Sequence, residues 1–346
     1  MSTITVPEHN VTGIDYAQRG HFTYSGPLID MHSHVLVTRP DDPVNGPPRG
    51  SGPGGSIAQA ETMLEVAPEF GAIRTITMCF PDDIPILRER FGDRLGFNGS
   101  IAKKTADAPD DEAYKVLDRF LELGVEIIKF WSAPRGRERG LLVDAPWRIE
   151  AARRARAAGV RIIMVHVGDP DAWFRTTYTD AAKFGTKPEQ YIGLERMLQM
   201  FPDITWIGAH MGGDVEHPDH LQALLEKYPH FYMDTSATKW QVREVSRRTA
   251  AVRSLICRHP DRFFFGTDLV TRHHLPREHY VSRYWCQRTL WESGWEGRSP
   301  IADPDYTPAE GGPTTPELLG LGLPPYVLRQ VYHDNATRLL PGAAGE

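Results

Sequence analysis

Short apolar runs recur along the chain at 28–31, 73–78, 95–101, 125–131, 161–167, 205–210, 231–234 and 263–267. Most are rich in β-branched and aromatic residues and are bounded by Gly, Pro or Asp, as buried strands are. Between several of them the apolar positions change to helical spacing. In 110–123, Ala113, Val116, Leu117, Phe120 and Leu121 fall close to one face. The stretch 147–158 follows Pro146 and stops at Gly159, while 188–200 and 218–226 open on proline. Alternating strand and helix imply an α/β fold with a parallel sheet, and eight repeats predict a closed (β/α)8 TIM barrel. We expect one domain over 1–346, with an N-terminal extension over 1–26 and a closing helix over 325–340.

Two regions break this rhythm. Residues 39–56 are dense in Pro and Gly and directly follow the first run, which places a lid-like loop over the barrel mouth. Residues 273–316 follow the eighth run and contain Trp285, Trp291 and Trp295. They read as an insertion that packs beside the mouth or makes a subunit contact.

Composition changes this picture little. The 346 residues are 40% hydrophobic and 24% charged, enough apolar content for one large core. A net charge of −6 gives no reason to expect a nucleic-acid or anionic-membrane partner. The arginines Arg148, Arg153, Arg154, Arg156 and Arg161 read as the solvated face of a helix whose alanines pack inward. Cys79, Cys257 and Cys286 have no paired or metal-ligand spacing and fit buried small residues in a reducing compartment. The first residues lack a basic stretch followed by an apolar one, and no apolar run approaches the roughly 20 residues of a membrane span. The expectation is a cytoplasmic protein, probed by small molecules rather than membranes, and a homo-oligomer such as a dimer.

Chemistry concentrates at strand ends. In a barrel of this kind the active site sits at the C-terminal ends of the strands. His32 and His34 close the first run, His166 the fifth, His210 the sixth, and Asp268 follows the eighth, each next to an apolar stretch. His32 and His34 are two apart, so on a strand they point the same way. Unpaired polar groups are costly in such places. Neutral imidazoles with one carboxylate suit a single divalent ion, zinc before manganese, iron or cobalt, with a position left for water or substrate. Lys129 lies within the fourth run. It could meet a substrate anion or be a buried partner of Asp144 or Glu126. Trp131, Trp173 and Trp240 near the mouth could wall a planar substrate. No GxSxG elbow, phosphate loop or GxGxxG follows a strand.

The segments Ile29-Asp30-Met31-His32-Ser33-His34, Val165-His166-Val167-Gly168, Gly208-Ala209-His210-Met211-Gly212-Gly213 and Phe265-Gly266-Thr267-Asp268 together resemble the amidohydrolase superfamily. More narrowly, they resemble the amidohydrolase-related branch of hydrolases and decarboxylases like aminocarboxymuconate-semialdehyde decarboxylase. Tyr332-His333-Asp334-Asn335-Ala336 resembles that branch's closing-helix motif. The resemblance runs from about residue 28 to 340. It implies a metal held by His32, His34, His166 and Asp268, with His210 as a catalytic acid/base or electrostatic group. Around Lys129 it implies a mononuclear site in preference to one bridged by a carbamylated lysine.

The leading expectation is a metal-dependent hydrolase. A metal-activated water attacks an amide, lactone or related carbonyl, Asp268 moves the proton, and His210 steadies the oxyanion. The same residues would serve non-oxidative decarboxylation of an aromatic or muconate-type acid. A non-catalytic barrel that binds metal or ligand is the third reading. In each case the partner is a small molecule, carboxylated or carbonyl-containing.

Overall fold

The computed structural model describes residues 8–37, 56–272, 275–306 and 314–340. The lid-like loop expected at 39–56 lies outside these residues except for Ser56. That serine caps the helix Ile57–Glu69, its side chain accepting from the Gln59 amide.

The parallel strands are β1 (Leu28–His34), β2 (Ala72–Cys79), β3 (Leu95–Ile101), β4 (Ile127–Trp131), β5 (Ile162–His166), β6 (Thr205–Gly208), β7 (Phe231–Asp234), β8 (Phe263–Phe264) and β9 (Leu269–Val270). They pair in the order β8-β7-β6-β5-β4-β3-β2-β1-β9. β8 opens the eighth apolar run, 263–267, and β9 follows that run just past Asp268. β8 pairs with β7, and β9 pairs with β1. Bonds from the Met31 amide to the Phe265 carbonyl (2.9 Å) and from the Asp268 amide to the His32 carbonyl (2.7 Å) close the ring between the pieces. The chain is thus a TIM barrel, as its pattern predicts.

Alternation along the strands builds two apolar layers. Ile29, Met31, Ile76, Ile127, Ile162, Met164, Ile207 and Phe264 cluster inside, with Ala336 and Leu340 of the last helix. Leu28, Phe97, Ile128, Phe130, Val165, Phe231 and Phe265 join the larger layer under the outer helices. Those helices include Asp110–Glu122, Pro146–Ala157, Lys187–Met200 and Pro218–Lys227, each within a residue or so of its expected span. The expected closing helix forms as Pro325–Arg329 and Asn335–Leu339 with one π-turn, Gln330–Asp334, between them. Asn335 Nδ2 donates to the carbonyls of Pro260 (2.8 Å) and Phe263 (2.9 Å), tying this helix to the start of β8.

The segment expected as an insertion contributes the helix Arg277–Glu292 and a strand, Glu296–Arg298, that pairs with Glu317–Leu319. Trp285 and Trp291 are fully buried. The helix lies against the barrel wall, where the Tyr284 hydroxyl donates to Asp30 Oδ2 at 3.0 Å. The N-terminal extension packs on it too, its Thr23 and Tyr24 amides donating to Glu292 Oε2 at 2.9 and 3.0 Å.

One arginine of the expected solvated face departs from it. Arg148 is completely buried, donating to the Trp131 carbonyl at 2.8 Å and to the Ser132 hydroxyl, with its guanidinium over Phe130 and Trp147. Among the described residues no helix is long and apolar enough to cross a membrane.

Candidate metal centre and active site

Strand alternation alone would point Asp30, His32 and His34 the same way, opposite to Ile29 and Met31. A bulge changes this. Asp30 pairs with Thr75 and Ser33 with Thr77, so β1 spends three steps where β2 spends two. Before the bulge, Ile29 and Met31 face inward and Asp30 reaches outward to Tyr284. After it, His32 and His34 face the barrel interior. Asp30 fixes the crossing from the outside. It accepts from the Thr267 amide (3.0 Å), the Thr267 hydroxyl (2.6 Å) and the His32 amide (3.2 Å). Burial pushes its carboxyl up to about 7, against these hydrogen bonds.

His32, His34 and Asp268 each bring a donor atom to within 4.8 Å of the others. Asp268 Oδ1 lies 3.5 Å from His32 Nε2 and 3.2 Å from His34 Nε2. Two donors bound to one ion at about 2.1 Å with tetrahedral angles stand about 3.4 Å apart. Both carboxylate–imidazole distances match that spacing. Asp268 is aimed there by a left-handed turn, φ +58°. Burial alone would raise its carboxyl, but His210, His34 and His32 outweigh this and hold it well below the usual carboxylate range.

Asp234, at the end of β7, orients two imidazoles. Its Oδ2 accepts from His32 Nδ1 at 2.8 Å, which turns His32 Nε2 toward Asp268. Its Oδ1 accepts from the His210 amide (2.9 Å), the Ser236 amide (3.0 Å) and the Ser236 hydroxyl. Buttressing of a ligand imidazole by a carboxylate is the usual second layer of a metal site. Burial pushes the His32 imidazole below its ordinary pKa, as does the nearby Lys129, so its Nε2 carries the lone pair a ligand needs.

His210 follows β6 in a left-handed conformation, φ +56°. Its ring stacks on His32 with centroids 4.9 Å apart, and its Nδ1 lies 2.7 Å from Ser236 Oγ. The serine has one hydrogen, and Asp234 can only accept it. His210 Nδ1 must then carry a proton and donate to the serine oxygen. Burial holds this imidazole neutral, well below its ordinary pKa, so Nε2 is a proton acceptor.

His166 stands beside His210, centroids 4.9 Å apart, but belongs to no three-donor group among the described residues. Its Nε2 meets Asp169 Oδ1 at 2.9 Å, and Asp169 Oδ2 accepts from the Tyr178 hydroxyl at 2.7 Å. Nδ1 is the nitrogen left for an ion.

Lys129 reaches the same interior from β4. Its buried Nζ has no hydrogen-bond partner. Neither expected acidic neighbour takes it, because Glu126 pairs with Arg74 (2.8 Å) and Asp144 with Arg196. Burial pushes the amine down to about 8, against Asp234 and Asp268, which favour its charged form.

Of the three tryptophans, Trp131 stands edge-on to His166 at 6.3 Å and Trp240 edge-on to His210 at 5.9 Å. Trp173 lies farther out, donating to Asp305 Oδ2 at 3.1 Å and touching Tyr178. Asp171, Asp214 and His217 form a separate acidic group. The Lys187 ammonium already sits in it, 2.6 Å from Asp171 and 2.8 Å from Asp214.

The sequence reasoning missed Asp234, Ser236, Asp30 and Asp169. Asp234 carried the same signal as the histidines, an ionisable residue ending an apolar run. Ser236 and Asp169 lie in loops just past strand ends and had no such mark.

Comparison with known proteins agrees with this fold. Residues 29–342 match the protein family described as amidohydrolase. A search of curated proteins finds no match. Among solved structures, the chain is similar to an uncharacterised TIM-barrel protein from Bordetella bronchiseptica, with 17% identity and a TM-score of 0.52 over 92% of this chain and 100% of that one. It is also similar to 5-carboxyvanillate decarboxylase from Sphingomonas paucimobilis, with 15% identity and a TM-score of 0.51 over 92% and 99% of the two chains.

Proposed function

From the premise that this chain belongs to the amidohydrolase family, we propose that it is a metal-dependent hydrolase of an amide, lactone or related carbonyl substrate. The observation that carries this reading is the meeting of His32, His34 and Asp268 at ligand-to-ligand spacing. These three side chains would hold the ion, with His166 Nδ1 as a further donor, and zinc suits such a nitrogen-rich set. A divalent ion supplies Lewis acidity there, lowering the pKa of water from about 15.7 to about 7.

The protein's own groups do the rest. Ionised Asp268 receives the proton of the attacking water and passes it to the leaving group. Neutral His210 offers Nε2 as a second acceptor, and once protonated it steadies negative charge on the substrate oxygen. Asp234 and Ser236 keep both imidazoles in the productive tautomer. Lys129, buried and unpaired, offers a cation to a substrate oxygen. Trp131 and Trp240 flank the space.

Elemental analysis of protein purified without chelator, followed by turnover of lactones and amides in ¹⁸O-water, tests this. One divalent ion per chain and one ¹⁸O atom in the product are expected. A protein that acquires no divalent ion would overturn the reading.

A second reading, non-oxidative decarboxylation, is favoured by one observation. The cavity that Asp268 lines also carries Lys239, Arg272 and Arg283, which suits a carboxylated substrate. Release of CO₂ without ¹⁸O incorporation would establish it over hydrolysis.

A further inference from the structure

Four consecutive residues after β6 carry positive φ: His210 at +56°, Met211 at +52°, Gly212 at +65° and Gly213 at +71°. Only glycine adopts this conformation without a steric penalty, and it normally extends over single residues. Two of the four carry side chains, so the turn persists because its surroundings hold it. The turn sets the direction in which the His210 ring leaves the backbone, toward His32 and His166.

Backbone hydrogen bonds account for part of the hold. The His210 amide donates to Asp234 Oδ1 (2.9 Å), and the Gly213 amide donates to the His210 carbonyl (3.0 Å). A further grip comes from outside, from the helix Lys187–Met200. Its Tyr191 is buried, 3% exposed, and the Tyr191 hydroxyl donates to the Gly212 carbonyl at 2.9 Å. Burial pushes this phenol well above its ordinary pKa, with Asp214 and Asp169 adding to the effect, so it stays a donor.

The same hydroxyl fills a joint between two loops. A Cβ on Gly168 would overlap it, and a Cβ on Gly213 would overlap the Gly168 carbonyl. The loop after β5 and the turn after β6 therefore meet backbone to backbone, with the tyrosine oxygen at the joint. Gly168 stands two residues beyond His166, and the next residue, Asp169, meets His166 Nε2. The helix that delivers Tyr191 is itself fixed. At its start the Thr186 amide donates to Glu189 Oε2 at 2.7 Å. Lys187 Nζ lies 2.8 Å from Asp214 Oδ1, just past the turn, and the Tyr191 ring stands edge-on to His220 at 4.8 Å.

We propose that Tyr191 is a positioning residue for His210: its hydroxyl, wedged where the loops after β5 and β6 meet, holds the left-handed turn that aims the imidazole into the centre. It acts through the Gly212 carbonyl and touches no substrate. The inference rests on the reading of His210 as a proton acceptor of the proposed hydrolase, but its first test needs neither ion nor substrate.

That test is the nitrogen resonances of metal-free, full-length protein labelled with ¹⁵N-histidine. Those of His210, identified by their loss in His210→Gln, should report Nδ1 protonated and Nε2 bare in the wild type. Tyr191→Phe keeps the ring and removes only the hydroxyl. It is expected to move these resonances toward a mixture of tautomers, because a relaxed turn loosens the bond from Nδ1 to Ser236. Gly168→Ala pushes the hydroxyl aside without removing it. It is expected to act in the same way, and it keeps the proposal testable if Tyr191→Phe fails to fold. On the lactone or amide for which the wild type shows ¹⁸O uptake, both variants should lower kcat by about tenfold or more and leave KM within about twofold. A lower melting temperature with unchanged His210 resonances is what a merely structural hydroxyl gives, and it overturns the proposal. Failure of the hydrolase reading would show instead as no ion and no turnover, with the metal-free spectra still deciding the role of Tyr191.

Discussion

Asp234 never needs to touch a substrate to decide what this centre can do. It sets which nitrogen of His32 points at Asp268 and, through Ser236, which nitrogen of His210 is bare. Asp234→Asn keeps the shape but can present an amide hydrogen where His32 requires an acceptor. We expect zinc affinity to fall about 10- to 100-fold, read by competition with a chelator. Asp268→Asn should leave the melting temperature nearly unchanged and lower kcat by at least about 100-fold, because the proposed proton acceptor is gone. Lys129 makes a prediction about pH. Its folded pKa of about 8 lies below the ordinary lysine value, so between about pH 8 and 10.5 the unfolded chain binds more protons than the folded one. Stability of the metal-free protein should therefore rise with pH across that window. Lys129→Met should remove the rise and melt higher at pH 7, as thermal scans at several pH values would show.

Among elements, the strands were the most legible. Buried on both faces, they read as continuous apolar runs, and 95–101 and 231–234 end where the runs end. What the sequence hid is where such a run stops alternating. The bulge in β1 that turns His32 inward is set by its pairing with β2, and no local residue announces it. The eighth run reads as one strand, yet only 263–264 pair with β7, and a left-handed turn at Asp268 precedes the piece that pairs with β1. The helix Arg277–Glu292 shows no apolar stripe because nearly every residue from Tyr280 to Glu292 is buried. Its polar groups are satisfied inside, as where Trp291 Nε1 donates to Gln287 Oε1 at 2.6 Å. Gly266 tests the packing of this region. A Cβ there would stand 3.0 Å from His32 Cβ and 3.1 Å from Ser236 Cβ. Gly266→Val should lower stability by about 1–3 kcal/mol in denaturant unfolding and weaken metal binding, since the branched side chain displaces the histidine.

For the whole molecule, the count of eight strand-helix repeats was enough to name the barrel, because few arrangements bury eight parallel strands. The candidate centre was legible only as a list of strand-end residues. The listing could not show that His166 turns Nε2 to Asp169, or that Glu8, more than two hundred residues from Lys239 in sequence, meets it. Closure depends on the last helix. Asn335→Ala strips a buried and a half-buried carbonyl of their donor and should destabilise the fold by about 1–3 kcal/mol in equilibrium unfolding, while leaving the proposed metal ligands intact.

The break in the eighth strand has a consequence for how this protein acquires competence. The two pieces on either side of the gap belong to opposite flanks of the sheet, and Asp268, the proposed carboxylate ligand, sits in the gap itself. Under the proposed function, sealing the cylinder also brings Asp268 to His32 and His34. On refolding, recovery of turnover is expected to coincide with the joining of these two flanks, as stopped-flow refolding followed by activity assay would check.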